Sequence, residues 1–267
     1  MLKDITLGQF FPGNTIVHRL DPRTKILAVI LYIVALFSAD SVLTYVLAAA
    51  VLALCILVSK VPFKSLTKGL KPILIIVIFT AVMNLFFTKG TAICDVWLLR
   101  HITWEGLAAA AKMMVRIVML IMGTFLLTYT TSPISLTDGL ESLLGFLKKI
   151  KVPVHELSMM MSIALRFIPT LIEETDKIMS AQKARGADFE SGNIFQRAKA
   201  LVPILVPLFI SAFRRAELAV AMESRCYHGG EGRTALHVLH YKTADWLTLA
   251  GFVALAAGVI VLGKFGL

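Results

Sequence analysis

The stretch that decides the fold class is VLTYVLAAAVLALCILV, residues 42 to 58, which carries no charged side chain. Its length approaches the roughly 20 apolar residues that an α-helix needs to cross the hydrocarbon core of a bilayer. The rest of the chain has the same character, since 57% of its 267 residues are hydrophobic, 16% are charged and the mean hydropathy is +0.79. Soluble domains are only about 45 to 50% apolar. The sequence therefore predicts an all-α integral membrane protein.

Further apolar runs lie on both sides of this stretch. The first two runs are separated by Asp40 and Ser41 alone, which predicts a tight helical hairpin. The predicted spans are 26–39, 42–58, 72–87, 107–128 and 246–262. The region 132–242 between the last two spans is amphipathic and predicts long helices at the cytoplasmic face. With no low-complexity linker, we expect one integrated domain over residues 1–267.

The basic residues predict how the spans are oriented. The chain has 27 Lys and Arg against 17 Asp and Glu, a formal charge of +10. Most of the basic residues precede the first span, follow the second span, or lie between the fourth and fifth. Cytoplasmic connections are rich in Lys and Arg, so we expect a multi-pass cell-membrane protein whose N-terminus and residues 187–192 are cytoplasmic and whose C-terminus is outside. This charge favours a lipid bilayer, and not nucleic acid, as the partner.

Several kinds of active centre have no sequence support. The chain has no G-x-x-x-x-G-K-S/T motif, so it cannot cradle nucleotide phosphates in the P-loop manner, and we expect it not to be an enzyme. No acidic residue occupies the middle of a predicted span, which disfavours a proton or sodium relay. Cys55, Cys94 and Cys226 are too widely spaced for a zinc knuckle or a disulfide framework. We expect no cofactor, no metal and no catalytic residue.

Lys112 and Arg116 are four residues apart and share one face of the fourth span. One interpretation makes them the anion site of a self-sufficient channel or secondary transporter. In the other, which we favour, they pair with Glu105 or with backbone carbonyls inside a helix bundle, because charge within a membrane is often structural.

Two other groups of polar residues could suggest chemistry. His228, His237 and His240, with Cys226, do not follow a standard zinc spacing, and we expect them in a solvated interfacial stretch. Carboxylate pairs occur at 138 and 141 and at 173 and 174, but no nucleophile or oxyanion site accompanies them. We expect these carboxylates on solvated helix faces.

One local pattern occurs twice. Ala184-Arg185-Gly186 is predicted to end an amphipathic helix, with Arg in the last turn and Gly as the left-handed cap. Ser224-Arg225-Cys226 follows 40 residues later, at the predicted end of the next long helix. Two arginines at two helix ends could each pair with a carboxylate of a separate partner subunit.

Four segments, two of which contain this pattern, resemble the transmembrane T component of energy-coupling factor (ECF) vitamin and metal importers. They cover most of the chain in the order that this family shows. The segments are His18-Arg19-Leu20-Asp21-Pro22-Arg23-Thr24-Lys25, Leu165-Arg166-Phe167-Ile168-Pro169 leading to Glu173 and Glu174, Ala181-Gln182-Lys183-Ala184-Arg185-Gly186-Ala187-Asp188-Phe189, and Glu223-Ser224-Arg225-Cys226-Tyr227.

The resemblance implies a non-catalytic scaffold that joins two cytoplasmic ABC-type ATPase subunits to a substrate-binding membrane protein, the S component. Coupling helices at about 155–185 and 194–225 would transmit ATP-driven motion, and Arg185 and Arg225 would dock on the two ATPases. The family usually has glycine after the second arginine, and Cys226 stands there instead. Because cysteine lacks the conformational freedom of glycine, we expect a less regular cap at the second site.

Overall fold

The computed structural model describes residues 10–87, 103–189, 194–214, 216–229 and 238–264. The regular elements of these residues are helices, in agreement with the predicted fold class. Ten are α-helices, and a 3-10 helix at Leu144–Ile150 lies between α6 and α7. They are α1 (Ile16–Arg19), α2 (Pro22–Phe37), α3 (Val42–Ser59), α4 (Phe63–Phe87), α5 (Trp104–Thr130), α6 (Pro133–Leu143), α7 (Val154–Ala184), α8 (Ile194–Arg214), α9 (Glu217–Glu223) and α10 (Thr243–Lys264).

The helices form two compact units. Residues 8–139 and 239–267 make up the first, which we call the membrane unit, and it contains α1 to α5 and α10. Residues 140–238 make up most of the second, the middle unit, with α7, α8 and α9. That the whole chain acts as one integrated domain stays a prediction.

Four helices of the described residues are long and apolar enough to cross a bilayer: α3, α4, α5 and α10. They contain four of the five predicted spans. Of these helices, α4 begins at Phe63, well before the predicted run at 72, and α5 begins at Trp104, close to the predicted 107. The predicted first span, 26–39, corresponds to α2, which begins at Pro22, ends at Phe37 and, with 16 residues, is shorter than the other four helices.

The core of the membrane unit lies where α2, α3, α5 and α10 meet. Small side chains dominate the closest approaches, since Ala35, Ala48 and Ala256 are buried. Small residues let helix backbones approach closely, which strengthens packing where lipid gives helices no hydrophobic reason to associate. In contrast, most large side chains of α4 face outward, as expected for contact with lipid; examples are Ile75, 74% exposed, and Phe79, 61% exposed.

In the middle unit, the sequence predicted two long coupling helices. The first is present as α7, with 31 residues. The second prediction, one continuous helix over 194–225, is wrong: α8 ends at Arg214 and α9 begins at Glu217. At the junction the N–H of Ala216 donates to Phe213 and that of Ala219 to Ala216, a spacing of three residues where an α-helix uses four. The interruption is not at Pro203 or Pro207, through which α8 continues.

Candidate functional site

The end of α7 is a complete Schellman motif built around Arg185. The N–H of Ala187 donates to the carbonyl of Gln182 at 3.0 Å, and the N–H of Gly186 donates to that of Lys183 at 3.0 Å. Gly186 has φ +85°, the left-handed conformation that this motif requires. The glycine cap predicted from the sequence is confirmed, and it satisfies carbonyls that the helix would otherwise leave without partners.

The same motif follows α9 and places Arg225 at the equivalent position. The N–H of Tyr227 donates to the carbonyl of Met222 at 3.0 Å, and the N–H of Cys226 donates to that of Glu223 at 2.9 Å. Cys226 has φ +61°. The expectation that cysteine would give a less regular cap is therefore wrong: Cys226 adopts the glycine conformation, at the steric cost that a side chain pays there.

The two turns match in exposure as well as in hydrogen bonding. Arg185 and Arg225 are both exposed, as are the flanking residues Ala184, Gly186, Ser224 and Cys226. At the positions where the chain folds back, Ala187 and Tyr227 are both partly buried. The middle unit therefore presents two exposed guanidinium groups, each on a helix end whose backbone is closed by the same pair of hydrogen bonds.

A buried polar cluster in the membrane unit was missed by the sequence analysis. The carboxylate of Asp245, 1% exposed at the start of α10, accepts the N–H of Asp21 and the N–H of Lys242, each at 2.8 Å. Asp21 caps α2 by accepting the N–H of Arg23 at 2.9 Å and also accepts the Arg23 guanidinium at 3.0 and 2.9 Å. The guanidinium lies 4.1 Å from the centre of the Tyr241 ring.

The electrostatics of Asp21 follow from this arrangement. Burial acts to raise the pKa of Asp21, but hydrogen bonds from the side chain and backbone of Arg23, with the positive charges of Arg23 and Lys25, leave that pKa below its ordinary value. Lys25 is 7% exposed and donates to the carbonyls of His18 and Thr130. Asp21 and Lys25, for which the sequence predicted no structural role, therefore fasten α2 to α10 and α5.

Lys112 and Arg116 bind backbone carbonyls. The Lys112 ammonium donates to the carbonyl of Asp40 at 2.7 Å, and the Arg116 guanidinium donates to that of Ala39 at 2.8 Å. Both carbonyls belong to the turn between α2 and α3, so the structural interpretation is confirmed and the channel hypothesis loses the anion site on which it rested. The two cations of α5 thereby satisfy carbonyls that the turn between α2 and α3 leaves outside its helices.

The other polar candidates lie apart from these sites. His228 is exposed after α9, and His240 is exposed before α10, whereas His237 lies outside the described residues. Among the residues described, no group of three His, Cys, Asp or Glu side chains could hold a metal ion. Cys94 is also outside the described ranges, and Cys55 and Cys226 are free thiols.

Two carboxylates predicted on solvated faces are instead partly buried and hydrogen-bonded. Glu141 lies 2.7 Å from Nδ1 of His155, and Glu174 accepts the Ser211 hydroxyl at 2.6 Å, which ties α7 to α8. Burial acts to raise the pKa of Glu141, but hydrogen bonds from His155 and Ser158 and nearby positive charge hold it below its ordinary value.

The chain matches a known protein family over most of its length. The model of the CbiQ family, described as cobalt transport protein, matches residues 13–236, a range that includes Asp21, Lys25 and both arginine turns. The chain belongs to the CbiQ family. The CbiQ match ends before α10, which supplies the Asp245 carboxylate.

Curated relatives of this CbiQ-family chain extend the match to nearly its full length. The energy-coupling factor transporter transmembrane protein EcfT of Clostridium kluyveri is 58% identical over 249 residues, 92% of each chain. EcfT of Ruminiclostridium cellulolyticum is 51% identical over 263 residues, 98% of each chain, and EcfT of Bacillus subtilis is 49% identical over 259 residues, 96% of this chain and 97% of its own. With its four candidate spans, the chain is a multi-pass membrane component of a transporter.

Proposed function

We propose that the chain is the non-catalytic coupling scaffold of an ATP-driven ECF-type importer. It would join two cytoplasmic ABC-type ATPase subunits to a substrate-binding membrane S component, for uptake of a vitamin or a metal ion. The observation that supports this proposal best is the pair of equivalent turns, which present Arg185 and Arg225 in the same way. Two like sites on one chain suit two like partner subunits.

Each arginine would dock on one ATPase by pairing its guanidinium with a partner carboxylate. The guanidinium makes two parallel hydrogen bonds to a carboxylate, which fixes orientation as well as adding attraction. The Schellman hydrogen bonds hold the backbone on both sides of each arginine, so less freedom is lost on binding. Ala184, Gly186, Ser224 and Cys226 flank the two arginines and would lie in the same contacts.

An apolar surface of α8 would contact the S component in the membrane. On α8, the large side chains Leu205, Phe209 and Phe213 are exposed to 47%, 61% and 76%. Exposed apolar surface of this extent is typical of protein or membrane interfaces. The specificity for the cargo would lie in the S component, and the ATPases would supply hydrolysis, because this chain has no P-loop to hold a nucleotide.

Co-purification in mild detergent tests the proposal. The tagged chain is co-expressed with an ATPase pair and an S component, and each partner retained is quantified. We expect two ATPases per chain for the parent, one for Arg185→Ala or Arg225→Ala, and none for the double variant. Lys177→Ala is the matched control, because Lys177 is an exposed cation on α7, the helix that ends just before Arg185. This variant should retain both ATPases.

Two results would contradict the proposal. The first is full ATPase retention and near-parent uptake by the double alanine variant, which would reduce the arginines to helix caps. The second is ATP hydrolysis or transport by the pure chain at a rate that added ATPases do not change.

A further inference from the structure

The membrane unit contains an apolar groove that the proposed function does not use. It lies between α1, α2, α3, α5 and α10 and has a volume of about 370 Å³, within the range of ligand sites in proteins. Its walls include Val29, Val51, Leu127 and Phe252. The groove opens toward the outside of the bundle, since the lining side chains of Leu54 and Ile16 are 61% and 67% exposed.

The polar lining residues are gathered at one end of this groove. They are Lys25, Thr130 and Thr248, which belong to the start of α2, the end of α5 and the start of α10. These three positions meet at one end of the bundle, as the hydrogen bond from Lys25 to the Thr130 carbonyl shows. The rest of the groove runs from this polar end along apolar helix surfaces.

Lys25 is the charged group of the groove. Two of its three N–H bonds are used, on the carbonyls of His18 at 3.1 Å and Thr130 at 2.9 Å. Within the described residues no third acceptor is found for this ammonium, although the side chain is more than nine-tenths buried. A buried ammonium with an unused donor can bind an anionic oxygen strongly.

The surroundings of Lys25 also favour an anion. Arg19 and Lys60, both exposed, adjoin the groove-lining segments at this end of the bundle. The acidic side chains of the same end, Asp21 and Asp245, are buried and already bound to Arg23 and to backbone N–H groups. The exposed charge at the polar end is therefore positive.

We propose that this groove binds an anionic phospholipid, with one acyl chain along the apolar walls and the phosphate at Lys25. An acyl chain matches a long apolar cleft that opens from helices of membrane-spanning length and composition. The phosphate matches the polar end, where one N–H of Lys25 is unused and the exposed cations Arg19 and Lys60 lie on segments that adjoin the lining.

Gly251 provides a direct way to block the groove. It lines the groove on α10, and a Cβ built on it would meet no atom within 4 Å. A leucine at this position would therefore extend into the groove without displacing the protein. Gly258, on the same helix, also has open space at its Cβ but does not line the groove, so Gly258→Leu is the matched control.

The experiment measures lipid binding to the delipidated full chain by native mass spectrometry, with phosphatidylglycerol and phosphatidylcholine as probes. We expect the parent to prefer phosphatidylglycerol by about fivefold, the attraction that one basic residue gives an anionic lipid. Gly251→Leu should weaken phosphatidylglycerol binding by about tenfold or more because the acyl chain is displaced. Gly258→Leu should bind as the parent does, and Lys25→Gln should have a clearly smaller preference for phosphatidylglycerol.

If Lys25→Gln does not fold, the Arg19→Gln and Lys60→Gln double variant replaces it and should lower the preference. Equal binding of the two lipids by the parent would overturn the proposal, as would parent-like binding by Gly251→Leu. It is also overturned if Gly251→Leu keeps its lipid but loses a membrane partner protein, because the groove would then hold that partner.

Discussion

The backbone N–H of Asp21 donates to the carboxylate of Asp245 at 2.8 Å, which joins residues 224 positions apart in the chain. Through this bond the N-cap of α2 is held against the first turn of α10. Both groups are buried, so the bond is shielded from water. It adds a polar link to the apolar packing that joins α10 to α2.

Asp245→Asn should destabilise the membrane unit. An amide has only one acceptor oxygen, so either the buried N–H of Asp21 or the partly buried N–H of Lys242 would face an NH₂ group and lose its partner. A hydrogen bond to a charged group contributes about 1.5 to 3 kcal/mol. Thermal unfolding in detergent should show a clear loss for this variant and almost none for Asp40→Asn, which alters an exposed carboxylate of the same unit. Equal melting temperatures for the two variants would contradict the assigned role.

Arg185→Lys and Arg225→Lys should restore ATPase binding poorly. Lysine keeps the positive charge but cannot form the two parallel hydrogen bonds of a guanidinium. Removing one member of a desolvated charged pair costs about 2 to 5 kcal/mol, whereas a cation that only interacts with its helix end contributes about 0.3 to 1 kcal/mol. The dissociation constant of each variant for the ATPase pair distinguishes the two roles. Lysine variants that bind within twofold of the parent would favour the helix-end role.

Cys226→Gly should stabilise the middle unit. At φ +61° a side chain is strained, and glycine removes a cost of about 1 kcal/mol. Cys226→Ala keeps a Cβ in the same conformation, so it should match the parent. Unfolding by denaturant compares the three chains. A glycine variant that is less stable than the alanine variant would show that the thiol itself stabilises the turn.

Glu141→Gln should lose stability in a way that depends on pH. The folded pKa of Glu141 lies below the ordinary value of 4.5, so its carboxylate contributes stability above that pH, and the contribution disappears as the pH falls through the lower folded pKa. The melting temperature of the variant should therefore lie below that of the parent at pH 6 and meet it at acidic pH. Glu173→Gln, on an exposed carboxylate of α7, should show no such dependence. A constant difference at all pH values would mean that shape, and not charge, is responsible.

The membrane orientation predicts which residues are reachable from outside the cell. In a chain without its three native cysteines, Gly266→Cys should react with an impermeant maleimide on intact cells, and Ser191→Cys only after permeabilisation. The reason is the concentration of basic residues in the connections on one side. Because α3, α4, α5 and α10 contribute an even number of crossings, the result depends on whether α2 also crosses. Protection of residue 266 in intact cells would contradict the five-span orientation: either α2 does not cross, or one of the segments 152–172 and 201–213 crosses as well.

The apolar runs predicted the membrane helices, because an uninterrupted stretch of apolar residues is a local property that tertiary contacts do not alter. The glycine cap at Gly186 was predictable for the same reason. The left-handed conformation of Cys226 was not, because local preference opposes it. Only the hydrogen bonds around that turn reveal that it repeats the motif at Arg185.

The sequence by itself determined that this is an all-helical membrane protein of the CbiQ family, with one arginine pattern at two helix ends. The tertiary structure decided what the polar residues of the membrane unit do. In the sequence, Lys112 and Arg116 fit an ion-binding site as well as they fit a structural role. The structure distinguishes the two roles, because it places the carbonyls of Asp40 and Ala39, 72 and 77 residues away in the chain, beside these side chains. Asp245 likewise acquires its role only when α2 is folded against it. A charged group inside a membrane needs a partner, and which partner it finds is set by contacts between distant segments.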